Sequence, residues 1–197
     1  MKVNENIGWH FPAIKIANKG ILPTKEWMEI ILSIKQSKLV EDKVIGKIEV
    51  ASFAIRGSRL LRWRIKETDP EYSSEEECLR IAKKLLIYYL HLKDFNKDIP
   101  SVLKTLLGIT EKTETTKCPL CLLEIEKEQF LIDARIHPNA IQMGHLNPLS
   151  LRNEVSSNHF AENINWQHRR CNYMQGEDTL ANALDFMIEI LKRHKKI

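Results

Sequence analysis

The feature that most constrains the fold of this chain is a set of four potential metal ligands in its C-terminal half. Cys118 and Cys121 form one pair, and His168 and Cys171 form a second pair with the same spacing. Sulfur and imidazole ligands in two such pairs suit a tetrahedral zinc ion. Binding at all four would close the long loop between the pairs. The spacing therefore predicts a structural zinc site that organises residues 118–171.

Disulfide bonds and buried core thiols are the alternatives for these cysteines. The paired spacing favours zinc over both, and Pro119 favours the tight turn that the first ligand pair needs. Cys78 differs from the other three cysteines, because it lies in an apolar helical pattern with no ligand at metal spacing. We expect Cys78 to be a buried free thiol.

The composition describes a globular protein with a real core. Apolar residues make up 43% of the 197 residues, and the net charge of +4 is too small to indicate a polyanion partner by itself. The first six residues lack the apolar run of a signal peptide, and the apolar stretch Leu85–Leu92 is too short to cross a bilayer. We therefore expect no membrane contact and a cytoplasmic, reducing environment.

The first 110 residues carry mostly helical patterns. Apolar spacing and capping residues predict helices from about Lys25 to Gln36, from Ser74 to roughly Lys93, and from Pro100 to Leu107. Alternation and a high content of Val and Ile predict strands over Lys43–Ala54 and Leu60–Lys66. A short turn between the two strands would make them a β-hairpin.

The polar run 111–117 has no apolar period and is typical of a linker, so we place a domain boundary there. Beyond it the patterns predict short strands over Gln129–Arg135 and Ala140–Leu146, then a helical region from about Trp166. The last helix carries an apolar stripe from Leu180 to Leu191, which is typical of core packing.

Two segments between and after the ligand pairs have a distinctive order. They are Gly144–Leu149 (GHLNPL) and Asn163–Asn172 (NINWQHRRCN), with Gln175-Gly176 after the second. These residues resemble the HNH endonuclease superfamily, whose active unit is the ββα-metal fold. The resemblance covers about the last 80 residues. It implies a zinc-bound ββα-metal (HNH) nuclease domain over residues 118–197. Together with the patterns of the first 110 residues, this gives an α+β protein in which a mostly helical N-terminal region with a basic β-hairpin precedes that domain.

The resemblance assigns roles to three residues. His145 would be the general base, Asn163 would brace the loop after the hairpin, and Asn172 would bind a catalytic divalent cation. Imidazole takes a proton near neutral pH, and Mg²⁺ accepts an amide oxygen as a ligand, so the residue types suit these roles. A surface or core histidine and a helix-surface amide are the alternatives for His145 and Asn172. We expect His137 and His159 to be solvent-exposed.

The chain departs from the family's pattern at Gly144, because the family places Asp or His there as a ligand to the catalytic metal. Gln142 on the same strand face, or Asp133 on the expected partner strand, are possible extra metal ligands. Alternatively, Asn172, water molecules and the DNA phosphates hold the cation, or the site is inactive.

Basic residues in two places are candidates for DNA contact. One group lies in and after the predicted hairpin turn, and the other lies beside the proposed site. The residues are Arg56, Arg59, Arg62 and Arg64 in the first group, and Arg169 and Arg170 in the second. Phosphate or base contacts suit arginine, although a solvated polar strand face is an equal alternative for the first group.

The sequence thus predicts a DNA endonuclease that hydrolyses phosphodiester bonds in double-stranded DNA with one metal ion and a histidine base. Residues 1–110 would recognise DNA and dimerise, and residues 118–197 would cut. This organisation resembles type II restriction endonucleases, with structural zinc, catalytic Mg²⁺ or another divalent cation, and a homodimer on a symmetric site. A homing or modification-dependent HNH nuclease and a non-catalytic zinc-stabilised DNA-binding protein are the alternatives.

Overall fold

In the computed structural model the described residues are 24–53, 61–95, 97–110, 116–133, 135–149 and 159–197. These residues form an α+β structure of helices around a two-stranded antiparallel sheet. The helices are α1 (Lys25–Ser37), α2 (Asp42–Ser52), α3 (Glu75–Leu90), α4 (Ser101–Leu107), α5 (Arg169–Gln175) and α6 (Leu180–Arg193), and the strands are β1 (Ile141–His145) and β2 (Ile164–His168). Short 3-10 helices lie at Arg62–Arg64, Lys127–Phe130 and Ala161–Asn163.

The three predicted N-terminal helices are confirmed, and their ends follow the capping residues. The Thr24 hydroxyl accepts a hydrogen bond from the Trp27 amide at the start of α1, and Ser74 does the same for the Glu77 amide at the start of α3. Helix α4 ends at Gly108, whose φ of 71° is left-handed and suits glycine. Helix α3 ends at Leu90, a few residues before the predicted boundary.

The prediction of a strand over Lys43–Ala54 is wrong, because this segment forms helix α2 as far as Ser52. Its buried apolar side chains are Val44, Ile45, Ile48 and Ala51. Their spacing of one, three and three residues places them on one helical face. The β-branched residues pointed to a strand, but packing against α3 outweighs that weak intrinsic preference.

The prediction of a second hairpin strand over Leu60–Lys66 is also wrong for the described residues 61–66. Arg62–Arg64 form a 3-10 helix, and Trp63 packs its ring edge-on against Phe53 with 6.1 Å between ring centroids. The Arg62 guanidinium turns inward and donates a hydrogen bond to the Glu71 carbonyl oxygen. A strand face of exposed arginines therefore does not form over residues 61–66. The predicted turn, with Arg56 and Arg59, lies outside the described residues.

The first C-terminal strand was predicted at the wrong place. Lys127–Phe130 form a 3-10 helix with a capping box between Glu126 and Gln129. Phe130 is buried and packs edge-on against Trp166 at 5.0 Å between ring centroids. Strand β1 pairs instead with β2, which ends at His168, so the helix expected from Trp166 begins at Arg169.

The helical part holds the sheet through side chains that donate to backbone carbonyls. Lys47 of α2 donates to the carbonyl oxygens of Phe130 and Ile141. Lys84 of α3 donates to the carbonyl of Ile164, and the Trp166 indole donates back to the Leu85 carbonyl. Buried apolar residues on both sides of these contacts belong to one hydrophobic core. The sheet is therefore positioned directly by α2 and α3.

The apolar stripe of α6 packs against the core only in part. Ala183 is buried and Leu180 and Met187 pack against the core, while Leu184, Ile190 and Leu191 are about 40% exposed. The helix begins with the Thr179 hydroxyl, which accepts a hydrogen bond from the Asn182 amide. Among the described helices, none has the length and apolar character needed to cross a bilayer.

Candidate functional site

The first ligand pair lies on a tight turn. The Leu122 amide donates to the Cys118 carbonyl, and the Cys118 amide donates to the Leu123 carbonyl, both at 2.9 Å. Leu122 adopts a left-handed φ of 58°, which reverses the chain just after Cys121. These bonds bring the two cysteine side chains to the same side of the turn.

The second pair comes from the end of β2 and the first turn of α5, and it meets the first pair. One ligand atom from each of Cys118, Cys121, His168 and Cys171 lies within 4.8 Å of the other three. Cysteine sulfur atoms lie about 2.3 Å from zinc in tetrahedral sites, so this spacing suits one ion. These four residues, the Cys3His cluster, could hold a metal ion.

The environment of Cys118 also suits a cation, whereas burial and the neighbouring cysteines raise the pKa of Cys171 to about 12. Burial opposes ionisation of the Cys118 thiol, but hydrogen bonds from His168 and nearby backbone amides outweigh it and lower the pKa to about 6. The Cys118, His168 and Cys171 side chains are almost completely buried. A buried thiolate near neutral pH is the form of cysteine that ligates metals.

His145 stands at the end of β1, and its ring contacts a second histidine. His145 Nε2 lies 3.2 Å from His159 Nδ1, so one ring donates a hydrogen bond to the other. His159 is only 1% exposed, so the expectation that it faces solvent is wrong, while His137 is exposed as expected. The sequence carries no spacing signal for this pair, because a long connection separates the two residues.

Both histidines are held in the neutral form. Burial, followed by the positive charge of Arg62, lowers the pKa of His145 to about 4. Burial and the same guanidinium lower the pKa of His159 to about 2. A neutral imidazole at pH 7 can accept a proton, which a general base must do.

Asn163 connects the start of β2 to the loop that follows β1. Its side chain accepts a hydrogen bond from the Asn147 amide and donates one to the Asn147 carbonyl, both at 2.7 Å. Its own carbonyl accepts from the Leu146 amide at 2.9 Å. These contacts fix the chain just after His145, as a bracing role requires.

Gly144 lies where two amide side chains converge. A Cβ atom at this position would be 2.1 Å from Gln167 Oε1 and 2.8 Å from Asn172 Oδ1. A carboxylate or imidazole at residue 144 therefore needs Gln167 to move. Gln167 was not singled out from the sequence, because it lies between better-marked residues and faces the interior of the domain.

A cleft of about 880 Å³ opens between α2 and β1 in front of this site. Gly144, His145 and Asn172 form part of its wall. The N-terminal region contributes the positive side chains Lys43, Lys47 and Arg62 to the lining, together with the acidic Glu71. The cleft thus brings basic groups from the N-terminal region close to the residues that resemble an HNH site.

The two possible extra ligands also line this cleft. Gln142 faces it from β1. Asp133 is not on a partner strand as predicted but on a turn. Asp133 binds Arg135 at 2.9 Å, and that hydrogen bond lowers the pKa of Asp133 to about 2. Asp133 is therefore a carboxylate at neutral pH, already paired with a guanidinium.

The predicted DNA-contacting arginines are in different environments. The Arg169 guanidinium stacks on the Tyr173 ring at 4.5 Å from its centroid, and Arg170 is exposed on the same helix. Arg64 is exposed, whereas Arg62 is 6% exposed beside the histidine pair rather than on a strand face.

Comparison with known proteins supports the fold. No protein-family model and no curated protein sequence gives a significant match to this chain. A solved structure described as the crystal structure of a type II restriction endonuclease is similar, with a TM-score of 0.62 and 21% sequence identity. The match covers 85% of this chain and 82% of that chain. The chain therefore shares its fold with that restriction endonuclease over most of its length.

Proposed function

We propose that this protein is an HNH-type DNA endonuclease that hydrolyses phosphodiester bonds in double-stranded DNA, and that it acts as a type II restriction enzyme. The observation that carries the proposal is the convergence of His145, Asn172 and Gly144 on one wall of a cleft. Basic side chains from α2 and from the 3-10 helix at Arg62–Arg64 also line this cleft. A polyanion with a scissile phosphate fits such a cleft.

The chemistry assigned to the protein is general-base hydrolysis. His145 takes a proton from a water molecule, the water oxygen bonds to phosphorus, and the bond from phosphorus to the leaving sugar oxygen breaks. The ring of His159 holds the His145 ring in place through their shared hydrogen bond. Asn163 holds the adjoining loop, so the base keeps its position while DNA binds.

Two metals belong to the proposal. The Cys3His cluster would bind structural zinc and tie the turn at Cys118 to the start of α5. Asn172 Oδ1 would hold Mg²⁺ or another divalent cation, since hard cations favour oxygen ligands. Such a cation stabilises the negative charge that develops on the phosphate and on the leaving oxygen.

DNA binding is assigned to basic residues on both sides of the cleft. Arg169 and Arg170 would contact phosphates beside the scissile bond, and Arg62 would add positive charge within the cleft. Arg56, Arg59 and Arg64 would also contact DNA. Because phosphate contacts release counterions, the DNA affinity falls steeply as the salt concentration rises. Loss of one contacting arginine lowers the slope of log affinity against log salt concentration by about one.

The proposed organisation divides recognition from cleavage. Residues 1–110 would recognise DNA and support a homodimer, residues 111–117 would link, and residues 118–197 would form the nuclease domain. A homodimer presents two active sites to the two strands of a symmetric target. Beyond the contact assigned to residues 1–110, the exposed apolar face of α6 in the nuclease domain, formed by Leu184, Ile188 and Leu191, is a second surface suited to contact between two copies.

Sequencing of DNA ends tests the functional class. Purified protein is incubated with Mg²⁺ and a mixture of plasmid and genomic DNA, and the cut ends are mapped. A short fixed palindrome at every end supports a type II restriction enzyme. A long single site indicates a homing nuclease, and cuts confined to methylated DNA indicate modification dependence. Retention of DNA without any cut would favour the zinc-stabilised binding protein and contradict the proposal.

A further inference from the structure

We propose that the side-chain amide oxygen of Gln167 is a ligand of the catalytic cation and replaces the ligand that Gly144 cannot provide. The inference rests on the proposed function, since it concerns the cation that the proposed nuclease site would bind. Three neighbouring features support it: the absence of a side chain at residue 144, the orientation of the Gln167 amide, and the nearby oxygen of Asn172.

The two amide oxygens point to one small region. Gln167 Oε1 and Asn172 Oδ1 lie 2.1 and 2.8 Å from the position that a Cβ of residue 144 would take. The sum of these distances limits the separation of the two oxygens to about 4.9 Å. Ligands at about 2.1 Å from an octahedral Mg²⁺ lie roughly 3 to 4 Å apart, so one cation can reach both oxygens.

A chain of hydrogen bonds fixes which end of the Gln167 amide faces this region. Gln175 Nε2 donates to the carbonyl oxygens of His145, Leu146 and Asp178, so only the Gln175 oxygen can face Gln167. Gln167 Nε2 donates to that oxygen at 3.2 Å. The other end of the Gln167 amide, its oxygen, must then point toward Gly144 and Asn172.

The Gln167 oxygen is a buried acceptor that needs a positive partner. Gln167 is 0% exposed, and its Oε1 has no hydrogen-bond partner within the part of the chain that the structure describes. Leaving a buried acceptor unpaired costs roughly 1–3 kcal/mol. A cation between Gln167 and Asn172 removes that cost, since it is bound by oxygen lone pairs.

Glycine is needed at residue 144 because there is no space for a side chain, not because of the backbone conformation. The glycines with left-handed φ among the described residues are Gly108 and Gly176, so the backbone at Gly144 would accept other residues. A side chain there would collide with the Gln167 amide. Glycine therefore makes room for Gln167, and the ligand moves from β1 to the neighbouring strand β2.

Binding of Mn²⁺ without DNA tests the inference. The full-length zinc-loaded protein is titrated with Mn²⁺, and the bound ion is followed by electron paramagnetic resonance. We expect Gln167→Leu to weaken Mn²⁺ binding on the order of tenfold or more, as Asn172→Ala does. The exposed Gln36→Leu is the control and binds as the wild type does. Gly144→Asp combined with Gln167→Ala places a carboxylate in the vacated space and restores binding.

Several outcomes would overturn the inference. These are wild-type Mn²⁺ affinity in Gln167→Leu, loss of affinity in Gln142→Ala instead, no Mn²⁺ binding by the wild type, and no recovery in the double variant. Zinc content and circular dichroism confirm that each variant is folded. DNA cleavage is measured separately, so a protein that binds Mn²⁺ through Gln167 but cuts no DNA contradicts the proposed function and leaves this inference standing.

Discussion

The histidine pair at the end of β1 makes the stability of the protein sensitive to acid. The pKa values of His145 and His159 lie near 4 and 2, below the ordinary value of 6.5 that holds in the unfolded chain. Between pH 6.5 and 4 the unfolded chain therefore binds protons that the native state excludes. The free energy of unfolding falls as the pH falls, by up to about 1.4 kcal/mol per pH unit for each histidine.

Urea unfolding at several pH values between 7.5 and 4.5 measures this effect. We expect His159→Gln to flatten the pH dependence, because the variant lacks one of the two suppressed titrations. His137→Gln is the matched control, since His137 is exposed, and it should keep the wild-type slope. An unchanged slope in His159→Gln would contradict the buried neutral pair.

Asn163 is the residue whose loss should most affect the loop after β1. We expect Asn163→Ala to lower the free energy of unfolding by about 2–3 kcal/mol, because it leaves the Asn147 amide and carbonyl without their partners. Asn147→Ala is the control, since it removes an exposed side chain and keeps both backbone groups. Equal unfolding midpoints for both variants in urea would refute the bracing contacts.

Site residues that are marked by regular spacing in the sequence could be predicted. Site residues that are defined only by contacts in the folded protein were missed. Cys118, Cys121, His168 and Cys171 meet as their spacing indicated. His159 and Gln167 were missed because their partners lie across a chain connection or on a neighbouring strand. Local sequence does not specify such pairs, because they depend on how separate parts of the chain pack together.

The zinc proposed at the Cys3His cluster leads to a prediction about the elements of the C-terminal half. We expect Cys118→Ser, or removal of zinc by a strong chelator, to unfold the turn at Cys118 and the start of α5, because structural zinc contributes much of the folding free energy of such sites. Metal analysis of the wild type should give one zinc per chain. Cys78→Ser changes a cysteine outside the cluster and should retain that zinc.

Helices whose sequences carry capping residues were predicted correctly. The N-terminal β-hairpin was not, because its first predicted strand forms helix α2. Segments α1 and α3 carry both apolar spacing and N-terminal caps. Helix α2 lacks a side-chain cap, and its Val and Ile residues suggested a strand. The true partner of β1 is far along the chain, so adjacent sequence led to the wrong pairing with Gln129–Arg135.

At the scale of the whole molecule, the exposed face of α6 leads to a prediction about assembly. We expect the protein to be a dimer by light scattering, and Leu184→Glu to shift the equilibrium toward the monomer by placing a charge in this second, apolar contact. Phe186→Glu is the matched control, since this exposed residue is about 200° around the helix. A wild-type monomer, or an unaffected dimer in Leu184→Glu, would contradict this surface.

The order of a helical region before a unit that carries the Cys3His cluster followed from the sequence, but the way the two parts join did not. Lys47 and Lys84 connect the helices to the sheet through backbone carbonyls, and no composition signal marks lysines for that role. The same connection turns α2 toward β1 and creates the cleft. Lys43 and Lys47, which line the cleft, thus lie on helix α2, where a strand was predicted.

Single-turnover cleavage of a DNA substrate by His145→Ala tests whether His145 is the general base of a nuclease. We expect wild-type protein to cut the DNA in the presence of Mg²⁺, and His145→Ala to lose at least about a hundredfold in rate. His194→Ala, which removes an exposed histidine at the end of α6, should cut like the wild type. Cleavage by folded, zinc-containing His145→Ala at the wild-type rate would show that His145 is not the base.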